Sequence, residues 1–283
     1  MDWTIPKFPL DDLADRGLAY LTTNGAGLTR GISRVVSDWI EVLSGTLVAI
    51  PPWALIGIAG FGAWRLGGPR LAVLSGAGLC FLWNLRLWPA TIETFVLMGL
   101  AVVMALIVGI PLGILCGLND RAWKTVSPIL DGMQTMPSFV YLIPAIPFFG
   151  LGGVSACFAT VVMSAPAAIR LTAIGIRGVP HEMTEAADAF GTTPAQKLFK
   201  VQLPLALPTI MAGVNQTIML ALSMVVIAAM IGAGGLGREV WRSIQRLEAG
   251  DGIQAGIAIV IVAVILDRVT QAMAVKMRPS AAH

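Results

Sequence analysis

The amino-acid sequence predicts an all-α integral membrane protein with about seven transmembrane helices, and two observations support this prediction. Charged residues make up 12% and apolar residues 56% of the 283 residues, whereas soluble domains carry about 25% charged residues. The charges also leave long uncharged stretches, of which the longest is the 38 residues between Asp131 and Arg170. A soluble domain of this length could not bury so much apolar surface, because much of any folded chain faces water. An ordinary soluble enzyme is therefore excluded.

The uncharged stretches define the predicted spans, since about 20 apolar residues are needed to cross roughly 30 Å of hydrocarbon. They place the spans at roughly 44–64, 70–88, 91–118, 128–149, 154–176, 205–231 and 253–276. The stretch of 38 residues is too long for one crossing. Pro144, Pro147 and Gly150 in its middle favour a turn between two helices.

Residues 1–43 precede the first span and lack the apolar core of a signal peptide. Between Leu28 and Ile40, apolar residues recur at helical spacing with charged residues between them. This pattern predicts an amphipathic helix that lies at the membrane interface. The chain is therefore divided into a tail (1–43), two peripheral spans (44–88) and a transmembrane core (89–278).

The distribution of Lys and Arg predicts the orientation, because cytoplasmic loops of membrane proteins carry an excess of these residues. Of the 19 Lys and Arg residues, eleven lie at one set of short loops and helix ends, four at the opposite set and four in the tail. The side with eleven is predicted to be cytoplasmic. This places the C-terminus and the loop 177–204 inside and the N-terminus outside.

One connection, residues 177–204, is much longer than the others and falls on the predicted cytoplasmic side. It reads RGVPHEMTEAADAFGTTPAQKLFKVQLP. Pro180 and Thr184 are helix-start signals, Gly191 interrupts the pattern, and Pro194 suits the first position of a second helix. The segment predicts a compact projection of two short helices around a glycine, which could sit in a groove of a cytoplasmic partner.

Five elements of this loop have a recognisable spacing: Glu185-Ala186-Ala187, Gly191, Val201, Leu203 and Pro204. They resemble the EAA-x3-G-x9-I-x-LP loop of ATP-binding-cassette (ABC) importer permeases, with Val in place of Ile. The stretches QTMPSFVYLIP (134–144), FKVQLPLALPTIMAGVNQTIMLALSMVVIAAMIGAGGLG (199–237) and ILDRVTQAM (265–273) are similar to the branch that imports glycine betaine, proline betaine and choline. The resemblance covers about residues 88–276 and implies a type I ABC permease core.

In that family the EAA loop docks on a separate cytoplasmic ABC ATPase subunit. The resemblance therefore assigns ATPase coupling to Glu185, Ala186, Ala187, Gly191, Leu203 and Pro204, and residues 177–204 are called the coupling loop below. It also implies a periplasmic or lipid-anchored substrate-binding protein, a bacterial cytoplasmic (inner) membrane location and surrounding membrane lipid. One chain offers one such loop, whereas a central pathway flanked by two ATPase subunits needs two, so a homodimer is expected.

The chain contains no G-x-x-x-x-G-K-[ST] segment that could cradle nucleotide phosphates. No cofactor is therefore expected in this chain, and ATP and Mg are expected on the partner ATPase. Cys80, Cys116, Cys157 and the two His residues have no metal-ligand spacing, so no metal is expected. The slight net charge of +3 gives no indication of a nucleic-acid partner. We predict a transport subunit rather than an enzyme.

Polar side chains inside the spans are candidates for the substrate pathway, because they are costly against lipid and tend to face cavities or other helices. The candidates are Gln134, Tyr141, Asn215, Gln216 and Thr217. Hydrogen bonding between helices explains Asn215 and Gln216 equally well.

Charged residues at the predicted outer face have two open interpretations. Glu93 begins the third span, and Arg238, Arg242 and Asp251 belong to a mixed-charge loop. That loop either contacts the loaded binding protein or is a solvated face.

Two other classes of function compete with an importer of quaternary amines. An ABC permease for another small solute would share the coupling loop. A secondary carrier or channel would favour paired intramembrane carboxylates or internal repeats, and an intramembrane enzyme would need a Ser, His or Asp constellation within the spans. Neither pattern is present in the predicted spans.

Overall fold

The fold is described by a computed structural model of residues 10–276, in which every regular element is helical. Residues 1–9 of the predicted tail and 277–278 of the predicted core lie outside the described residues, and so does the C-terminus. The helices are α1 (Leu10–Ala49), α2 (Pro52–Asn84), α3 (Trp88–Leu118), α4 (Asp120–Thr135), α5 (Leu142–Phe149), α6 (Gly153–Arg177), α7 (His181–Ala189), α8 (Pro194–Lys197), α9 (Leu203–Ala229), α10 (Leu236–Arg246) and α11 (Ala249–Lys276).

Five helices of the described part are long and apolar enough to cross a membrane, which confirms the all-α membrane class but not the count of seven. They are α2, α3, α6, the continuous helix Pro194–Ala229 and α11. The bounds of α3, α6, α9 and α11 agree with the predicted spans 91–118, 154–176, 205–231 and 253–276 to within a few residues. Leu118, Arg177 and Leu203 lie at one end of this bundle, called the loop end, and Trp88 and Gly153 lie at the far end.

The predicted span 128–149 is wrong as a single helix. Helix α4 ends at Thr135, and Met136 is extended with a ψ of 137° before Pro137. A proline disfavours helical backbone in the residue before it and has no N–H for a helical hydrogen bond. The chain resumes as a 3₁₀ turn, Ser138–Tyr141, followed by the short helix α5. Helix α4 instead lies against α6, where Arg170 pairs with Asp131 and Arg177 with Asp120.

The predicted span 44–64 is also wrong as a single helix, because α1 continues through residues 43 and 44 to Ala49 and α2 starts only at Pro52. The domain boundary placed after residue 43 thus falls inside a helix. A second division occurs at Gly68, whose backbone is non-helical (φ 79°, ψ −172°). The residues 70–88 predicted as one span are therefore the second half of α2 and the start of α3.

Helix α1 is amphipathic, as predicted, but it packs along the bundle rather than standing apart from it. A Cβ on Gly153 would meet both Ile40 and Leu97 at 3.6 Å, and Ile32 and Met104 line one cavity. Helix α1 is therefore antiparallel to α3, and its Leu10 end points towards the loop end. Ile32, Val36 and Ile40 of the predicted apolar face are half-buried, whereas Leu28, Val35 and Trp39 are more than half exposed.

Small residues hold α3 against α6. A Cβ on Gly109 would lie 2.7 Å from that of Ala168, and one on Gly113 would lie 2.5 Å from the Cβ of Thr172. Glycines spaced four residues apart allow the backbones of two membrane helices to approach closely. Helices α6 and α9 also pack closely, with Gly175 against Ala206. These three helices form the rigid centre of the fold.

The second helix of the coupling loop is continuous with a transmembrane helix. After α8, the residues Leu198–Gln202 form a turn of π-helix, and α9 follows without a break. The whole segment Pro194–Ala229 is one helix of 36 residues. The helix contains the π turn and, shortly after it, two interior prolines, Pro204 and Pro208.

Candidate functional site

The coupling loop folds as the short helix α7, a turn at Gly191 and the first turns of the continuous helix Pro194–Ala229, so the predicted second short helix is not separate from the span. Helix α7 starts directly after Pro180, which occupies the N-cap position with a φ of −55°. Helix α8 starts at Pro194 and is capped by Thr193 and Gln196, which bond each other's backbone N–H at 3.3 Å and 3.0 Å. Such a reciprocal capping box satisfies two backbone donors that would otherwise have no partner.

One backbone conformation and two contacts hold the two helices in one arrangement. Gly191 has a φ of 74°, a left-handed conformation that glycine adopts without steric cost. Next to it, the Thr192 hydroxyl donates to the carbonyl oxygen of Ala187 at 2.8 Å. The ammonium group of Lys197 on α8 pairs with the carboxylate of Asp188 on α7 at 2.8 Å. The loop is thus a defined projection rather than an irregular connection.

The residues of the EAA pattern divide into an exposed group and a group that is buried or half-buried. Glu185, Ala186 and Gly191 are exposed, and the Glu185 carboxylate lies 3.1 Å from the imidazole of His181. Ala187 is buried, and Leu203 and Pro204 are half-buried. Leu203 packs with Ile176, Ala206 and Ile210 at the junction of α6 and α9, and Val179 and Leu198 pack against the same apolar cluster. The cluster attaches the loop to two spans.

Two aromatic side chains of the loop were missed by sequence reasoning. Phe190 is 90% exposed and Phe199 is 66% exposed, although apolar side chains of this size are usually buried. The sequence pattern that could have revealed them is an aromatic residue on each side of the polar turn sequence GTTP. Together with Ala186 they give the projection an apolar surface.

The five candidate pathway residues do not form one pocket. Asn215 on α9 donates to the Asp267 carboxylate on α11 at 2.9 Å, and Thr217 is fully buried and bonds to the Gly213 carbonyl at 2.8 Å. Tyr141 is buried and donates to the carbonyl oxygen of Met133. Gln134 and Gln216 are exposed.

Gln216 belongs to an exposed stripe along α9. Its members are spaced four or seven residues apart: Leu205, Ala212, Gln216, Ser223 and Met230. Residues at these spacings lie on one face of a helix. The stripe therefore puts polar groups on a face that no other helix of the described chain covers.

At the far end, the outer charged loop contains a helix, α10, that sequence reasoning missed. The Glu93 carboxylate accepts the N–H of Gly235 at 2.7 Å, and the Thr94 hydroxyl accepts that of Leu236 at 2.8 Å. Arg238 lies 3.4 Å from the same Glu93 oxygen. The carboxylate and the hydroxyl thus bind the free N–H groups at the start of α10, where negative charge is favourable.

We expect Thr94→Val to lower the thermal stability of the chain, because it leaves the N–H of the fully buried Leu236 without an acceptor. A buried donor without a partner costs about 1–3 kcal/mol. Thr91→Val is the matched control, because the Thr91 hydroxyl, equally buried, bonds only to the Leu87 carbonyl of its own helix at 2.8 Å. Unfolding midpoints of the two purified variants test this. Equal midpoints would show that Thr94 does not anchor α10.

The family follows from comparison with known proteins. Residues 109–279 match the family described as the binding-protein-dependent transport system inner membrane component. The chain belongs to this family. Its members are permease subunits of ABC importers and not enzymes themselves, since the ATPase is a separate subunit.

Relatives of the permease cover nearly the whole chain. It is 45% identical over 272 residues to the glycine betaine transport system permease protein OpuAB of Bacillus subtilis, which covers 96% of each chain. It is 44% identical over 265 residues to the glycine betaine/proline betaine permease ProW of Escherichia coli, covering 94% of this chain and 75% of the relative. These identities confirm the quaternary-amine branch that the loop and its flanking stretches indicated.

The fold is also similar to a solved ABC transporter. A chain from the inward-facing MetNI methionine ABC transporter superposes with a TM-score of 0.61 at 23% identity, covering 66% of this permease and 93% of that chain. This likeness supports the type I permease architecture. Within residues 10–276 of the permease, no group of three or more His, Cys, Asp or Glu residues could hold a metal ion.

Proposed function

We propose that this permease imports glycine betaine and related quaternary amines, with proline betaine and choline in the same class. The observation that carries the proposal is the identity of 44–45% over at least 94% of the chain to permeases named for glycine betaine. A permease for another small solute is the alternative.

The coupling loop is the surface on which the ATPase subunit docks. Phe190 and Phe199 supply exposed apolar area, and Ala186 beside Glu185 allows close approach at an ionic group. Apolar anchors surrounded by polar residues are typical of protein interfaces. The contact between Asp188 and Lys197 holds the projection in one shape before it binds, so little ordering is needed on docking.

ATP and Mg belong to the partner ATPase, because the chain has no phosphate-cradling segment.

Two copies of the permease form the pathway between them. The exposed stripe of α9, with Gln216 and Ser223 at its centre, supports this arrangement, because polar groups at membrane depth favour a protein or aqueous surface over lipid. We assign Gln216 to the pathway on this ground. Asn215, Tyr141 and Thr217 have partners within the chain and act as positioning residues.

The loop end faces the cytoplasm, as the excess of Lys and Arg there indicates. The C-terminal end of α11 lies on the same side. The antiparallel packing of α1 on α3 favours the same side for Leu10, against the external N-terminus expected from sequence. A substrate-binding protein delivers solute to the far end, where α10 and the Glu93–Arg238 pair lie.

Reconstitution of the permease into vesicles tests the proposal. We expect uptake of radiolabelled glycine betaine only when ATP, an ATPase subunit and a loaded binding protein are all present. Excess unlabelled proline betaine or choline should compete, while methionine should not. Uptake driven by an ion gradient with the permease alone would contradict the coupling mechanism. ATP-dependent uptake of another solute but not of quaternary amines would contradict only the substrate.

A further inference from the structure

The second half of α2, after Gly68, and α11 form an antiparallel pair at the side of the bundle. Lys276 donates to the carbonyl oxygen of Arg65 at 3.1 Å, and Gln254 donates to that of Leu85 at 3.1 Å. Between these points a Cβ on Gly78 would meet Ile261 at 2.8 Å. The two helices therefore pack closely through their middle and have opposite directions.

Towards the loop end the pair opens into a groove of about 460 Å³. Arg70 lines one side and Arg268 the other, and apart from Gln271 the remaining side chains of the walls are apolar. Those walls include Leu71, Leu74, Ala272 and Val275. Leu74 is 42% and Val275 67% exposed, so the groove faces the surroundings of the bundle rather than its core.

The charge of the groove is strongly unbalanced. Lys276 adds a further basic group at the loop end of the pair, where its ammonium donates to the Arg65 carbonyl. The nearby acid is Asp267, whose carboxylate lies 4.0 Å from Arg268 but already accepts hydrogen bonds from Asn215 and Gln271 at 2.9 Å. Arg70 makes no ion pair with any residue between 10 and 276.

We propose that this groove binds an anionic phospholipid, with the phosphate between Arg70 and Arg268 and an acyl chain along the apolar walls. The guanidinium group presents several N–H donors in a geometry that suits phosphate oxygens. Basic pockets between transmembrane helices on the cytoplasmic side bind anionic headgroups. Leu74 lies one turn from Arg70 towards the far end, whereas Ala272 and Val275 line the loop-end part of the groove. An anionic head at the arginines with an apolar tail along Leu71 and Leu74 therefore fits both features. A soluble anion would use the arginines alone.

Native mass spectrometry of the full-length permease in detergent tests the site, with dioleoyl phosphatidylglycerol as the probe and dioleoyl phosphatidylcholine as the neutral comparison. We expect Arg70→Gln with Arg268→Gln to weaken binding of phosphatidylglycerol about thirtyfold, since each basic residue contributes roughly a factor of five at an anionic lipid surface. Binding of phosphatidylcholine should not change. Arg70→Lys with Arg268→Lys should retain most of the affinity, which separates loss of charge from loss of fold.

The matched control is Arg121→Gln with Lys124→Gln. It removes two exposed positive charges at the loop end of α4, outside the groove, and should leave binding of phosphatidylglycerol unchanged. An equal loss in this control would overturn the proposal, because net charge rather than the groove would then bind the lipid. Unchanged binding in the double Gln variant would overturn it as well. Displacement of the lipid by millimolar inorganic phosphate would assign the arginines to a free anion instead.

Discussion

Replacement of Gly191 by Leu should uncouple ATP hydrolysis from transport. The backbone of Gly191 has a φ of 74°, and a side chain with a Cβ costs about 1–2 kcal/mol in this conformation. That cost is enough to change the population of a turn about tenfold. No atom lies within 4 Å of the position of a Cβ on Gly191, so the substitution alters the turn without disturbing the packing of the spans. We expect uptake per ATP hydrolysed to fall about tenfold, in line with that population change.

Gly191→Asn provides the control for this experiment. Asn tolerates the left-handed conformation better than other residues with a side chain, so its coupling ratio should stay near that of the unmodified permease. Both variants should insert into membranes in equal amounts. The docking role of the loop would be contradicted if the Leu variant transported with an unchanged ratio of uptake to hydrolysis.

Replacement of Gly113 by Leu should have the largest effect on stability. A Cβ at this position would lie 2.5 Å from the Cβ of Thr172 and 2.7 Å from the Ile169 carbonyl oxygen. The second contact is with backbone and cannot be relieved by a change of side-chain rotamer. Overpacking of a close interface costs typically about 1–3 kcal/mol and sometimes more. We expect a lower unfolding midpoint and a smaller fraction of monodisperse protein in detergent.

Gly99→Leu is the matched variant on the same helix, because a Cβ on Gly99 has no neighbour within 4 Å. It should leave both the midpoint and the monodisperse fraction close to those of the unmodified permease. A similar fall in both variants would mean that the glycine affects α3 itself rather than its contact with α6.

The spans that could be predicted are those whose limits are set by charge. The prediction 154–176 agrees with α6, Gly153–Arg177, because Arg170 and Arg177 and the glycines before residue 154 are visible in the sequence. Helix α10 could not be predicted in the same way. It has 11 residues with several charges, and its start is held by Glu93 and Thr94, which are 142 residues away along the chain.

The candidate site shows the same difference between local and distant information. The coupling loop was predicted well because its turn and caps depend on neighbours in the sequence, such as Thr193 and Gln196. The pathway residues depend on how each helix is rotated. Gln216 is exposed and Thr217 is fully buried, since successive helical residues differ by about 100° around the axis. Hydropathy alone does not determine that rotation.

The continuous helix Pro194–Ala229 begins in the proposed docking surface and ends at the far end of the bundle. At 1.5 Å per residue, its 36 residues extend about 54 Å. A lever of that length converts a tilt of about 5° at one tip into a displacement of roughly 5 Å at the other. The hydrogen-bond pattern of this helix changes at the π turn Leu198–Gln202, and such turns often mark functional positions. Pro204 and Pro208 follow shortly after it, and each removes a helical hydrogen bond. If the ATPase docks on the coupling loop, as we propose, its motion would reach the opposite side of the membrane through this one helix, which can bend at the π turn and at the two prolines.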